Sequence, residues 1–261
     1  MIHTVVDGVR LHAEVEGIGD PPLVLVHGWC SNLRHWDAVT AHLAARHRVL
    51  TVDRRGHGAS DAPDPSEVEY SATRHAADLD EVMAAVGMDG AVVVGHAGGV
   101  PGVLALAVAH PRRVRALVLV DAIVSPASRI GDPTDPAGAA LGAMIDRILG
   151  DGGDPAFREI YATFFGPDAG AVADDAVADA ARVPRSVAVA ELRSLAVDTV
   201  GLARAVDVPV LWLTAAAADE DALTSVFRAV QFGRVVGSGH FPHLEVPAQV
   251  NAMIDRFVET L

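Results

Sequence analysis

The chain has 261 residues, of which 51% are hydrophobic and 21% are charged. This composition predicts a globular protein with a substantial core, large enough for one α/β domain with an inserted subdomain. The formal net charge is −14, and every basic residue apart from histidine is an arginine. We therefore expect neither nucleic acid nor membrane surfaces as partners, because both require a basic face.

Cys30 is the single cysteine, so no internal disulfide can form and nothing indicates an oxidising compartment. The first ten residues include Asp7 and lack the apolar centre of a signal peptide. No apolar run approaches the ~18–20 residues of a membrane span. These features predict a cytoplasmic protein and leave its oligomeric state open.

Short apolar strands alternate with helices through the first part of the chain. Segments 4–6 and 9–16 flank an Asp-Gly turn signal and predict an antiparallel hairpin. Further strands are predicted at 23–26, 48–52, 91–96 and 114–120, and helices at 36–45, 70–86 and 100–110. This alternation predicts an α/β fold with a mostly parallel, doubly wound sheet that is covered on both faces.

Residues 125–206 interrupt the alternation with prolines, glycines and helical patterns. We predict four helices there, at 139–149, 156–165, 171–182 and 187–205. The sheet resumes at 208–213 and 234–236, and a final helix is predicted at 247–260. The expected organisation is a core of residues 1–124 and 207–261 with a helical cap inserted at 125–206.

The segment Gly95-His96-Ala97-Gly98-Gly99 lies between an apolar strand and an apolar helix. This is the layout of the G-x-S-x-G nucleophile elbow, in which small neighbours let a strained turn present a serine hydroxyl above a sheet. Here alanine occupies the serine position. A methyl group cannot attack a carbonyl carbon, so the segment has the frame of a hydrolase without its nucleophile.

Four motifs together resemble those of the α/β-hydrolase family, in the order and spacing of that family and over nearly the whole chain. They are His27-Gly28-Trp29, Asp53-Arg54-Arg55-Gly56-His57-Gly58-Ala59-Ser60, the elbow around Ala97, and Gly239-His240-Phe241-Pro242-His243-Leu244-Glu245. The resemblance implies an α/β-hydrolase fold of the serine esterase or lactonase branch. It also implies a Ser-His-Asp mechanism through an acyl-enzyme.

The resemblance assigns a role to each part of this machinery. Position 97 is the nucleophile position, and His240 is the general base. The backbone N–H groups of Trp29 and Gly98 form the oxyanion hole, where the loss of one donor costs on the order of 10²–10³ in rate.

The triad acid is less sharply indicated. In the family it usually follows the strand that corresponds to 208–213, which favours Asp219 and leaves Asp221 as a second choice. Asp121 is a further alternative, because some relatives place the acid at the end of the preceding strand.

The expected substrate is a small, largely apolar carboxylic ester or lactone. Residues expected to contact it are Gly28, Cys30, Phe164, Phe165 and Phe241. We expect no metal, because His240 and His243 are three residues apart and no further ligands accompany them. No cofactor is indicated either, since the glycines of the elbow lack the spacing of a phosphate-binding loop.

Three explanations account for Ala97. The favoured one is a Ser→Ala change that inactivates the enzyme and leaves binding intact. The second is an enzyme without a covalent nucleophile, a lyase or cofactor-free oxygenase in which His240 is the general base. The third is a ligand-binding receptor on the same fold.

Overall fold

The central element is an eight-stranded sheet, seen in a computed structural model that describes residues 2–4, 7–150 and 152–261. In chain order its strands are β1 (Ile2–Thr4), β2 (Arg10–Glu16), β3 (Leu23–Val26), β4 (Val49–Val52), β5 (Ala91–His96), β6 (Val114–Val120), β7 (Val210–Thr214) and β8 (Val230–Arg234). Across the sheet the order is β1-β2-β4-β3-β5-β6-β7-β8. Strands β3 to β8 are parallel to one another, and β1 and β2 form an antiparallel edge. The predicted fold class is confirmed.

The central strands are almost entirely apolar because helices cover both faces of the sheet. Every residue of β3, β4, β5 and β7 is buried. Within β5, Val92 and Val94 belong to one core cluster, whereas Val93 between them belongs to the opposite one. This alternation is the period of two expected of a strand.

Eleven α-helices are found among the described residues. They are α1 (Asp37–Leu43), α2 (Ala72–Ala85), α3 (Val100–Ala109), α4 (Pro136–Leu149), α5 (Gly153–Ala162), α6 (Gly170–Ala180), α7 (Arg185–Ser194), α8 (Thr199–Ala205), α9 (Glu220–Val226), α10 (Pro242–Glu245) and α11 (Pro247–Val258). Helices α1 and α11 contribute to the core on one face of the sheet, and α2, α3 and α8 contribute to the core on the other. None of the helices that the structure describes is both long and apolar enough to cross a membrane.

Helices α4 to α7 follow β6 and have a core cluster of their own. Ile145, Phe157 and Leu192 belong to this cluster, and Trp29 and Phe241 from loops of the sheet complete it. The cluster thus joins the inserted helices to the carboxyl edge of the sheet. By contrast, α8 packs on α3 and completes the crossover from β6 to β7.

Three details differ from the sequence prediction. The single helix predicted at 187–205 is two helices, because the Asp198 side chain accepts a hydrogen bond from the N–H of Gly201 and starts α8 anew. Helix α9 was not predicted, and the last strand lies at Val230–Arg234 rather than at 234–236. Of the first predicted strand, residues 5 and 6 lie outside the described residues.

Candidate active site

Ala97 lies in the sharp turn between β5 and α3. Its φ is 42°, in the left-handed region that residues with a Cβ rarely adopt. The glycines after it allow a close approach to the loop that follows β3. A Cβ on Gly98 would lie 2.9 Å from the backbone nitrogen of Trp29, and one on Gly99 would lie 2.5 Å from the carbonyl oxygen of His27. The turn therefore has the strained geometry of a nucleophile elbow, with the methyl group of Ala97 at the position predicted for the nucleophile.

The imidazole of His240 contacts the carboxylate of Asp121, which directly follows β6, the strand next to β5. Its Nδ1 lies 2.6 Å from Oδ2 of Asp121. The other carboxylate oxygen, Oδ1, accepts hydrogen bonds from the hydroxyl of Thr214 at 2.8 Å and from the N–H of Ala215 at 3.1 Å. Burial alone raises the pKa of the Asp121 carboxyl, but the hydrogen bond from His240 and those from Ala215 and Thr214 outweigh it and lower the pKa. An ionised Asp121 favours the tautomer of His240 that carries its proton on Nδ1 and leaves Nε2 free.

Asp219, the acid preferred from the sequence, is not beside His240. Its carboxylate accepts a hydrogen bond from the N–H of Ala222 at 3.0 Å and thereby caps the N-terminus of α9. Asp221 is exposed in the first turn of the same helix. The preference for Asp219 is therefore corrected to the third alternative, Asp121.

Glu245 holds the loop that carries His240. Its carboxylate accepts hydrogen bonds from the N–H of Gly239 at 3.0 Å and from the N–H of Gly166 at 2.9 Å. The backbone N–H of His240 donates to the carbonyl oxygen of Phe164 at 2.7 Å. The histidine loop and the segment after α5 are thus one hydrogen-bonded unit.

Two further histidines pack beneath the site. Nε2 of His96 lies 2.8 Å from the carbonyl oxygen of His240. Burial, then the charges of His243 and His240, holds the pKa of His96 well below its ordinary value, so its neutral ring donates to that carbonyl. His243 is buried and stacks on Trp36 with ring centroids 4.2 Å apart. No cluster of three or more potential metal ligands occurs in the part of the chain that the structure describes.

The two residues predicted to form the oxyanion hole face each other, one in the elbow and one in the loop packed against it. The loop after β3 carries Trp29, and the turn after the adjacent strand β5 carries Gly98. Both residues border the same cavity as Ala97. The indole N–H of Trp29 donates to the carbonyl oxygen of Ala188 in α7 at 2.8 Å, which ties this loop to the inserted helices.

A cavity of about 560 Å³ opens over Ala97 and His240. Most of its wall is apolar, and α4 contributes more of the lining residues than any other helix. Its lining residues are Trp29, His96, Ala97, Gly98, Pro101, Asp121, Ile123, Ser125, Ser128, Ala137, Ala140, Leu141, Met144, Tyr161, Thr163, Phe164, Leu192, Leu195, Thr199, His240 and Phe241. The set contains no arginine, and its ionisable groups near position 97 are His96, His240 and Asp121.

Only two of the five predicted substrate contacts line this cavity, namely Phe164 and Phe241. Cys30 is fully buried, and that burial raises the pKa of its thiol well above the ordinary value. Gly28 packs against His96, where a Cβ would lie 2.6 Å from the ring Nδ1. Phe165 stacks on Phe241 from outside the cavity, with centroids 4.5 Å apart. For Cys30, Gly28 and Phe165 the structure therefore indicates packing, which corrects their placement in the lining.

Sequence reasoning did not single out Arg54 or Glu191, which meet next to the loop after β3 that carries Gly28 and Trp29 (the oxyanion loop). The Nη2 atom of Arg54 lies 3.0 Å from Oε2 of Glu191, and both side chains are buried. Arg54 belongs to a turn motif already noted, so its position carried a signal. Glu191 is one of several acidic residues on predicted helices, and nothing local marks it.

Comparison with known proteins agrees with this fold. A family model described as alpha/beta hydrolase fold matches residues 21–169, more than half of the chain. An uncharacterized protein of Mycobacterium tuberculosis is 28% identical over 290 residues, which cover 98% of this chain and 80% of that protein. An esterase from Rhodococcus sp. ECU1013 has a TM-score of 0.83 at 28% identity, covering 100% of this chain and 98% of the esterase. The chain belongs to the α/β-hydrolase family.

A solved enol-lactonase from Burkholderia xenovorans LB400 has the same fold. Its TM-score is 0.85 at 19% identity, and the match covers 99% of this chain and 100% of that chain. Membership of this family implies a small-molecule substrate, and the cavity over Ala97 offers room for one.

Proposed function

We propose that this chain carries the site of a carboxylic ester or lactone hydrolase in which alanine replaces the serine nucleophile. The observation that carries the proposal is the hydrogen-bonded pair of His240 and Asp121, 2.6 Å apart, at an elbow whose residue 97 has a φ of 42°. All other parts of an acyl-transfer site surround that position. The chain as it stands binds its substrate and does not form an acyl-enzyme.

A serine hydroxyl at position 97 would complete the reaction. Its oxygen attacks the carbonyl carbon of the ester while Nε2 of His240 takes the hydroxyl proton. The N–H groups of Trp29 and Gly98 stabilise the negative charge on the carbonyl oxygen. His240 then gives the proton to the leaving alcohol oxygen, and water releases the acid from the serine by the same steps.

The cavity lining supports a neutral and largely apolar substrate. A carboxylate or phosphate group in this cavity would meet no arginine, and burying an unpaired charge is costly. The hydroxyls of Thr163 and Thr199 are already bonded to the backbone carbonyls of Ile160 and Ser125. We further propose that α4–α7 form the cap that selects the substrate, with α8 belonging to the core.

The test is the Ala97→Ser variant, assayed beside the unaltered chain with p-nitrophenyl esters and with neutral lactones. We expect turnover only in the serine variant, together with an acyl adduct on residue 97 that mass spectrometry detects after rapid acid quenching. A matched control is Ala97→Ser combined with His240→Gln, which keeps the hydroxyl and removes the base. The control should show neither turnover nor adduct.

Absence of turnover and adduct in a folded Ala97→Ser variant, over a range of neutral esters and lactones, would contradict the proposal. An Ala97→Asp variant distinguishes ester hydrolysis from epoxide opening and dehalogenation, because family members that open epoxides or remove halides use aspartate at the elbow. Activity of that variant alone, on a haloalkanoate or an epoxide, would point to that branch instead.

A second candidate function rests on the same pair of side chains. Because Asp121 accepts from Nδ1 of His240, the neutral imidazole presents the lone pair of Nε2, and this nitrogen can act as a general base even without a nucleophile at position 97. The unaltered chain would then abstract a proton from an acidic carbon of a bound substrate, or from water. Activity of the Ala97 chain that disappears in His240→Gln supports this candidate and contradicts the first.

A further inference from the structure

The carbonyl group of Gly28 belongs to the same peptide unit as the N–H of Trp29. In a planar trans peptide these two groups point in opposite directions, so fixing one aims the other. The carbonyl oxygen of Gly28 accepts from the ring Nδ1–H of His27 at 2.9 Å and from Nη2 of Arg54 at 3.2 Å. The tautomer of His27 is set because its Nε2 accepts the backbone N–H of Arg54 at 2.9 Å.

Arg54 also reaches the other side of the oxyanion hole. Its Nη1 lies 3.4 Å from the carbonyl oxygen of Gly98, a longer contact than the one to Gly28. One guanidinium group therefore bridges the loop after β3 and the turn after β5. Because the guanidinium is planar and its donors are fixed relative to each other, it constrains the separation of the two carbonyls.

Glu191 of α7 supplies the negative charge that Arg54 requires in this buried position. Its side chain is 1% exposed, and Oε1 lies 2.8 Å from Nε2 of His75, within ion-pair distance although the angle is not that of a hydrogen bond. Burial raises the pKa of Glu191, but the charges of Arg54 and His75 outweigh burial and hold it well below the ordinary value. The carboxylate therefore stays ionised and neutralises the guanidinium.

Helix α7 contacts the same loop a second time, one turn earlier. The carbonyl oxygen of Ala188 accepts the indole N–H of Trp29 at 2.8 Å. Positions three apart lie on one face of a helix, so this face of α7 meets both the side chain of Trp29 and the arginine behind its peptide group.

We propose that Arg54 is a positioning residue for the oxyanion hole and that Glu191 keeps it in place from α7. Arg54 does not touch the substrate and acts through the Gly28–Trp29 peptide. By donating to the carbonyl oxygen of Gly28, it aims the N–H of Trp29 at the carbonyl oxygen of the substrate and polarises that N–H. The kinetic part of this proposal rests on the proposed function, whereas the geometric part does not.

Arg55, the next residue, gives a matched control. It is also buried and also paired with carboxylates, Asp78 and Asp7, at 2.6 Å each. Its guanidinium reaches the backbone at Glu69, away from the oxyanion loop. A loss specific to Arg54 therefore cannot be attributed to removing a buried arginine from this turn.

The first measurement uses the unaltered Ala97 chain and needs no turnover. The chain has three tryptophans, Trp29, Trp36 and Trp212, so labelling with ¹⁵N-tryptophan gives three backbone amide signals and three indole signals. The double variant Arg54→Met with Glu191→Leu removes the guanidinium and its carboxylate together, so neither charge of this pair is left buried without the other. We expect the backbone amide signal of Trp29 to move upfield and broaden. Its indole signal and the signals of Trp36 and Trp212 should stay in place.

The second measurement adds the same double change to the Ala97→Ser variant. We expect kcat to fall by about 10–100-fold, which is no larger than the decrease expected when one oxyanion-hole donor is removed completely. KM should stay within about twofold of its value in Ala97→Ser. Arg54→Lys should lower kcat by a smaller factor, because an ammonium group cannot bridge both carbonyls. Arg55→Lys should leave kcat unchanged.

An unchanged amide signal of Trp29 in the folded double variant overturns the proposal. So does a kcat that survives the double change, or one that falls equally in Arg55→Lys. If Ala97→Ser shows no turnover at all, the proposed function fails, and the amide signal alone then decides whether Arg54 positions the peptide.

Discussion

Replacing Asp121 with asparagine tests which carboxylate orients His240 in the proposed reaction. Oδ1 of Asp121 accepts two hydrogen bonds, from the hydroxyl of Thr214 and the N–H of Ala215. An asparagine oxygen must take that position, because only an oxygen can accept them. The amide NH₂ then faces Nδ1 of His240, 2.6 Å away in the present structure. Asp121→Asn therefore forces His240 to accept at Nδ1 and to carry its proton on Nε2.

An imidazole protonated at Nε2 cannot take the proton of a nucleophile. In serine hydrolases the corresponding loss is about 10⁴-fold in kcat, or about 5.5 kcal/mol of transition-state stabilisation. We expect a loss of this order when Asp121→Asn is added to Ala97→Ser, with KM little changed. The assay is steady-state hydrolysis of a p-nitrophenyl ester at pH 7.5, with Asp219→Asn and Asp221→Asn as controls in the same background.

Both controls should keep kcat within about threefold of Ala97→Ser, because exposed helix-terminal carboxylates contribute little. A second readout is independent of turnover. The proton on Nδ1 of His240 should give a downfield ¹H signal in the Ala97 chain that Asp121→Asn abolishes and Asp219→Asn preserves. A large loss of kcat in Asp219→Asn, or a loss below tenfold in Asp121→Asn, would refute the assignment.

Three further predictions concern stability, each measured by urea unfolding. Burial, then the charge of Arg54, lowers the pKa of His57 to about 4 in the folded chain. The unfolded chain takes up this proton near pH 6.5, so the free energy of unfolding decreases as the pH drops from about 6.5 to about 4. Between pH 7 and 4.5 the His57 contribution is about 2 kcal/mol, and His57→Gln should reduce the acid-induced loss by that amount; an equal loss in both chains contradicts it. Gly99→Ala should cost about 1–3 kcal/mol, since its Cβ would lie 2.5 Å from a backbone oxygen, and a neutral result would show that the elbow can move. Removing the exposed pair of Arg228 and Asp207 by alanine at both positions should change stability by less than about 1 kcal/mol, and a larger loss would reveal a contact beyond this pair.

Much of the fold follows from patterns within short segments of sequence. Runs of four to seven apolar residues predicted the central strands, and the alternation with helices predicted a parallel sheet. The prediction of helix 187–205 was wrong at Asp198, because a capping side chain interrupts a helical pattern without changing its average composition. Helix α9 is seven residues long, and an apolar period is hard to recognise over two turns.

The elbow and the histidine loop could be located from sequence because each is a local turn with its own glycines. Asp121 could not be chosen with the same clarity. Three aspartates follow two neighbouring strands, and spacing along the chain does not say which one faces the histidine. The end of β7 provides hydrogen-bond donors, Thr214 and Ala215, and these draw the carboxylate of Asp121 into place. That choice depends on the lateral order of β6 and β7, which no single segment encodes.

The sequence by itself therefore determined the family, and it located the elbow at Ala97 and the loop of His240 on which the proposed function depends. These features depend on residues close together in the chain, whose allowed backbone conformations restrict what they can form. Only the tertiary structure showed which carboxylate contacts His240, which residues line the cavity, and the ion pair between Arg54 and Glu191. Arg54 and Glu191 are 137 residues apart, and such a contact exists only after the inserted helices pack on the sheet.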